Sequence, residues 1–146
     1  MKLSIMGLDR AMEYIPTDPT YAIRIASKPE DFRFALQNSG LYTTVEYLFD
    51  DDHPGLWGKV SEDSITIDGI IAGKILSDFK EKGTDKETLL VHCSRGKNRS
   101  PAVGIALNEI FALGNDTGRL KKEYPEANWY VYRVLIETSK RSPNLK

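Results

Sequence analysis

One stretch constrains the fold of this chain more than any other: Thr88-Leu-Leu-Val-His92, then Cys93-Ser-Arg-Gly-Lys-Asn98, then Arg99-Ser-Pro-Ala-Val103. A short apolar run of that kind reads as a strand buried on both faces, which is the habit of parallel sheets. The polar loop that follows leads into a helix beginning near Ser100, with Pro101 in the first turn and Val103, Ile105, Ala106, Leu107, Ile110 and Phe111 carried on to Gly114. The same logic extends upstream. Leu3–Met6 and Tyr21–Ala26 read as strands, with a short helical segment over Asp9–Tyr14 stopped by Pro16. Thr43–Phe49 is a third strand, with Val45, Tyr47 and Phe49 on one face, and it runs into Asp50-Asp51-Asp52. From there to about Ser64 the glycines, Pro54 and His53 predict a loop. A helix from about Thr66 to Glu81 carries Ile67, Ile70, Ile71, Ile75 and Phe79 at helical spacing and is closed by Gly83. A last helix starts near Asn128 and carries Tyr132, Leu135 and Ile136. Alternation of strand and helix predicts an α/β fold: a central, largely parallel sheet of about four to five strands with helices on both faces.

Composition narrows the classes. A chain of 146 residues fits one domain, residues 1–146, with a core of its own. Apolar residues at 40% and charged residues at 28% exclude collagen, coiled coil and disorder. Twenty basic and twenty-one acidic residues leave a net charge of −1, so no global field draws in nucleic acid or an anionic membrane. Any basic site is local. The longest uncharged run, Phe34 to Val45, is partly polar and falls short of the roughly 18 residues a membrane helix needs. The apolar stretch Leu3–Leu8 is too short for the core of a signal peptide. One cysteine, Cys93, forbids an internal disulfide or a multi-cysteine zinc site. A cytoplasmic protein is the expectation.

The loop Cys93–Asn98 sits at the carboxyl end of its strand, where open α/β sheets place their ligands. Backbone N–H groups in such a loop, backed by a helix N-terminus, can converge on a tetrahedral anion. Arg95, Lys97 and Arg99 add positive charge with no acid among them. That field favours the thiolate form of Cys93, the nucleophile for attack on phosphorus. The planar guanidinium of Arg99 can grip two phosphoryl oxygens, a geometry lysine cannot copy. Ser100 can donate its hydroxyl to the departing sulfur, and His92 reads as a residue that orders the loop rather than as a base. Ser94, Arg95, Gly96, Lys97 and Asn98 complete the anion cradle. A lone cysteine ending a strand is usually a small buried hydrophobe. Here Cys, Gly, Arg and Ser stand at the required spacing between strand and helix, and the chemical reading prevails.

The motif His-Cys-x-x-Gly-x-x-Arg-Ser resembles the signature of the cysteine-dependent protein tyrosine phosphatases, and the Ser-Pro-Ala-Val helix resembles their compact dual-specificity branch in its small microbial form. The rhodanese loop is a poorer match, because it spaces Cys and Arg one residue closer. The resemblance implies a phosphatase-like sheet, no cofactor, no metal and a cysteinyl-phosphate intermediate. It also implies an aspartate general acid just after the strand that precedes the helix leading to the cysteine strand. That position falls in Asp50-Asp51-Asp52. Strand alternation favours Asp51, which continues the Tyr47/Phe49 face, ahead of Asp52 and Asp50. Asp63 competes by its distance from Cys93 but sits beside a helix start, where an acid has a capping role. Pro125-Glu-Ala-Asn128 loosely resembles the family's Pro-Asn helix start, in which the Asn supports the active-site loops, with two residues inserted. Trp129, Tyr130 and Tyr132 read as core residues. The substrates implied are phosphorylated proteins or peptides, phosphotyrosine first, with phosphoserine and phosphothreonine open. The extra basic residues and Asn98 keep open phosphoinositides, polyphosphates and the 5′-triphosphate end of RNA. A non-catalytic module that binds phosphorylated ligands is the reading from another class.

Overall fold

In the computed structural model, residues 1–51 and 65–142 are described, so Asp52, His53 and Asp63 lie outside the described residues. Strands β1 (Lys2–Gly7), β2 (Thr20–Ala26), β3 (Tyr42–Leu48) and β4 (Thr88–Cys93) form a sheet in the order β1-β4-β2-β3, with every pairing parallel. β2 and β4 are the inner strands and every residue of both is buried. That double burial is why Thr88–Cys93 is a continuous apolar run, and why the polar members Arg24 and His92 must find partners inside.

The helices are α1 (Leu8–Glu13), a 3₁₀ turn (Pro29–Arg33), α2 (Gly69–Lys82), α3 (Arg99–Ile110), α4 (Thr117–Glu123) and α5 (Trp129–Arg141). The two faces of the sheet are covered unequally. On one, Tyr21, Ile23, Ile25, Leu89 and Val91 meet α2, α3 and α5 in the main core. On the other, Met6, Ala22 and Leu90 form a smaller cluster with Ala11 of α1, flanked among the described residues by Tyr14, Leu36 and Tyr42. α3 is buried from Arg99 through Asn108 because it lies between the sheet and α5.

Several local expectations need correction. α2 starts at Gly69 rather than Thr66, because the carboxylate of Asp68 accepts a hydrogen bond from Ile71 N at 2.9 Å and caps the helix. The frame set by that cap turns Ala72, Ile75, Leu76 and Phe79 inward and leaves Ile70 82% exposed. α3 ends at Ile110 rather than Gly114. There the Asn108 side chain donates to Asn115 O at 2.8 Å and accepts from Asn115 N at 3.1 Å, which folds the chain back. α4, capped by Asp116, was not foreseen, since its seven residues bury only Leu120 and carry no apolar period. Trp129 is 37% exposed and so lies at the surface, whereas Tyr130 and Tyr132 are half-buried and pack against the main core, as expected. Among the described residues no helix is long and apolar enough to cross a membrane.

Candidate active site

The carboxyl ends of β1, β4 and β2, together with the chain leaving β3, bring Gly7, Cys93, Ala26 and Phe49 to one edge of the sheet. Between them lies the loop of residues 94–98. It is pressed against β1: Leu8 N donates to Ser94 O at 3.1 Å, and Gly7 pairs in register with Cys93. Two glycines make that approach possible. Gly96 has φ +75°, and a Cβ there would lie 2.4 Å from Gly7 N and 2.6 Å from Met6 C. On Gly7 a Cβ would lie 2.9 Å from Arg95 O. Both clashes are with backbone, which cannot swing aside. An Ala at Gly96 adds about 1–2 kcal/mol for the left-handed conformation alone. We expect Gly96→Ala to lower unfolding stability by at least about 2 kcal/mol once the clash is included, and to disorder the loop. Urea unfolding followed by the indole signal checks the first effect, and faster amide hydrogen exchange of the loop the second. The sequence marks Gly96 through the motif; nothing in it marks Gly7.

Cys93 is 2% exposed, and its Sγ is the focus of three donors or donor-acceptors. Gly96 N donates to it at 3.3 Å, Ser100 N at 3.5 Å, and Ser100 Oγ lies 3.2 Å away. These contacts arise because the loop folds back over the sulfur and α3 begins directly beneath it. Arg99, also buried, donates from Nη1 to Phe49 O at 2.8 Å and Ser27 Oγ at 2.9 Å. With both Nη1 protons used on the scaffold, Nε and Nη2 are without acceptors among the described residues. One edge of the guanidinium is thus anchored and the other is available to an anion. Ser94, Arg95 and Lys97 are exposed, and neither cation has an acid partner among the described residues. Asn98 donates from Nδ2 to Glu126 O at 2.7 Å, which ties the loop to the start of α5.

The three acids of the turn after β3 part company. Asp50 accepts from Ile65 N at 2.7 Å and donates its own N–H to Ile65 O at 2.6 Å, so it joins the chain after β3 to the chain before α2. Asp51 is half-buried, and its Oδ1 accepts from Asn128 Nδ2 at 2.9 Å. Asn128 also donates to Asp51 O at 2.6 Å, caps α5 by accepting from Tyr130 N and Val131 N, and donates its backbone N–H to Asn98 O at 2.9 Å. One residue therefore links the turn carrying Asp51 and the last helix through its side chain, and the loop after Cys93 through its backbone. Asp51, Asn98 and Asn128 line a cavity of about 340 Å³ together with Trp129, Tyr130 and Arg133. A smaller recess of about 110 Å³ holds Cys93, Ser94 and His92, walled by Leu8, Ala26, Asp31 and Phe32. Asp31 and Phe32 were not singled out from sequence, because nothing in Pro29–Arg33 shows that it folds over the cysteine.

His92 is 3% exposed and pairs in register with Arg24 of β2. Its Nε2 accepts from Arg24 Nε at 3.0 Å. An arginine cannot accept, so the imidazole proton is on Nδ1, which faces Cys93 O at 3.5 Å. Burial first, and the Arg24 charge second, push its pKa down to about 4. His92 is neutral at physiological pH. Among the described residues no three His, Cys, Asp or Glu side chains form a cluster able to hold a metal ion.

No protein-family model matches the chain, and no curated protein matches it. Among solved structures it is similar to the crystal structure of Tk-PTP in the active form, with 15% identity, a TM-score of 0.46, and coverage of 92% of this chain and 90% of that one.

Proposed function

We propose that this chain is a cysteine-dependent phosphatase that hydrolyses phosphate monoesters, phosphotyrosine foremost, through a cysteinyl-phosphate intermediate on Cys93. The observation that carries the reading is the convergence of Gly96 N, Ser100 N and Ser100 Oγ on a buried sulfur, beside an arginine whose outer edge is unoccupied. A cysteine that only fills space needs no such set of donors; a sulfur that attacks phosphorus and later leaves it does. In the first step Sγ attacks phosphorus, the S–P bond forms, and the ester P–O bond breaks with its electron pair on the leaving oxygen. Arg99 and the loop amides of residues 94–98 hold the equatorial oxygens, where charge spreads in the transition state. Asp51 gives the leaving oxygen its proton. In the second step a water gives its proton back to Asp51 as its oxygen bonds to phosphorus, and the S–P bond breaks with the pair on sulfur, eased by Ser100 Oγ. Asn128 holds Asp51 in register with the loop. Arg95 and Lys97 face solvent around the cradle and meet the acidic surroundings of a phosphorylated peptide. The chemistry calls for no cofactor or metal.

Phosphate release from an aryl phosphate, without added metal and blocked by vanadate, tests the reading. Asp51→Asn is expected to lower kcat by about 10²-fold on esters with poor leaving groups. On nitrophenyl-type esters, which leave without a proton, the loss shrinks, and the basic limb of the pH profile flattens. The opposite pattern, with Asp63→Asn or Asp52→Asn showing these effects and Asp51→Asn silent, moves the acid to that residue. A panel of phosphopeptides, phosphoinositides and triphosphate-ended RNA orders the substrate classes. Stoichiometric binding of phosphopeptide without turnover points instead to a binding module.

A further inference from the structure

Arg24 is a charged side chain, 4% exposed, in the middle of the inner strand β2. A buried guanidinium is tolerated only when its donors are met, and here they are met by two separate parts of the chain. Nε donates to His92 Nε2 on β4, one residue before the nucleophile. Nη1 donates to Phe32 O at 3.2 Å, and Nη2 donates to Phe34 O. Glu46 on β3 balances the charge at 3.5 Å, and the Phe32 ring lies 5.6 Å from the guanidinium carbon. Phe32 and its neighbour Asp31 are walls of the recess that contains Cys93. Pro29–Arg33 is a short 3₁₀ helix that buries no residue of its own, and Phe34 caps it, so the place of this segment over the recess depends on such anchors.

We propose that Arg24 is a positioning residue that ties the 29–34 wall to the Cys93 loop through His92, so that wall and nucleophile are held as one body. The inference rests on the phosphatase reading and adds a determinant of how esters enter the recess. Arg24 acts in two ways. Its fork fixes the carbonyls of Phe32 and Phe34, and its Nε–H, donated to His92 Nε2, sets the imidazole proton on Nδ1, toward the Cys93 carbonyl, while its charge adds to burial in keeping His92 neutral. Among the described residues, the titratable and charged groups near His92 are Arg24 on β2, Glu46 on β3 behind it, Asp31 on the 3₁₀ turn across the recess, and Cys93 itself. β1 offers Met6 in register and the start of α1 offers Leu8, neither of which titrates.

The test uses Arg24→Met, which removes fork and charge, and Arg24→Lys, which keeps the charge and loses the fork. Both are expected to raise KM for aryl phosphates on the order of tenfold through the displaced wall. In Arg24→Met the repelling charge is gone and His92 takes a proton at a higher pH. The kcat/KM profile then gains an ionisation between about 4 and 6.5 that the parent protein lacks. Adding His92→Asn to Arg24→Met removes that new limb. Arg24→Lys keeps the parent's profile shape with the raised KM, and it carries the test if the methionine variant does not fold. Imidazole NMR reads the same proton directly, with His92→Asn separating its signal from that of His53. A profile of unchanged shape in Arg24→Met, or a His92 that titrates near 6.5 in the parent protein, overturns the proposal. If the parent protein releases no phosphate, the phosphatase reading fails. The imidazole titrations of the parent and Arg24→Met then still decide whether Arg24 governs His92.

Discussion

Cys93→Ser is expected to lose turnover of aryl phosphates by about 10³-fold or more while still binding phosphate or vanadate. The loss follows from chemistry at one atom. A serine hydroxyl ionises far less readily than a thiol, and the donors that converge on Sγ sit at distances set for a large sulfur, 3.2 to 3.5 Å. An oxygen in that place is both smaller and protonated, so it neither attacks phosphorus nor stabilises a covalent intermediate. Binding survives because the cradle is not made by the cysteine. The loop is held by Gly7 against Arg95, by Leu8 N on Ser94 O and by Asn98 on Glu126, and Arg99 is held by Phe49 O and Ser27. Steady-state phosphate release measures the first half of the expectation and ³¹P titration the second. A serine variant that turns over within about tenfold of the parent removes the covalent mechanism. A variant that loses phosphate binding as well shows that the sulfur shapes the loop.

The contrast between loop and surroundings explains what could be read from the chain alone. The strand–loop–helix of residues 88–103 was legible because each part carries its own local signal: a run of apolar residues, a glycine, a proline in the first helical turn. The parallel α/β sheet followed from the same alternation. The register of the inner strands was not legible, since it comes from pairing across the sheet. Without it Arg24 is one charge among twenty basic residues, and nothing shows that it meets His92 sixty-eight residues away. Gly7 was missed for a similar reason: its small size matters only because the 94–96 backbone lies on top of it. Ile70 shares the helical spacing of Ile67, Ile71 and Ile75, and only the Asp68 cap fixes which face turns to the core and leaves Ile70 outside it. The exposed Trp129 shows the limit of reading aromatic residues as core. Its place at the first turn of α5 puts it at the rim of the cavity lined by Asp51 and Asn98, not under the sheet.

Arg99→Lys should reduce kcat/KM by about 10²–10³-fold, the loss typical of removing preorganised donors from a developing oxyanion. Lysine retains the charge, so the size of the loss isolates geometry from electrostatics. In the native protein the guanidinium serves two ends at once. Nη1 is fixed to Phe49 O and Ser27 Oγ, at the exit of β3 and the end of β2, and the opposite edge, without an acceptor among the described residues, is the one the proposed mechanism assigns to two phosphoryl oxygens. An ammonium cannot divide itself in this way. If it stays on Phe49 O, it reaches the anion poorly; if it turns to the anion, Phe49 O, buried beneath a fully buried ring, loses its partner. The second choice also loosens the chain that carries Asp50 and Asp51, so proton transfer suffers together with phosphate binding. The signature that separates the two is the leaving-group dependence. A loss equal for good and poor leaving groups places the defect in phosphate binding alone. A larger loss for poor leaving groups shows that Arg99 also sets the position of the acid. Arg99→Lys with near-parental kcat/KM, measured on the same aryl esters, removes the bidentate role and with it the reason for an arginine at the head of α3.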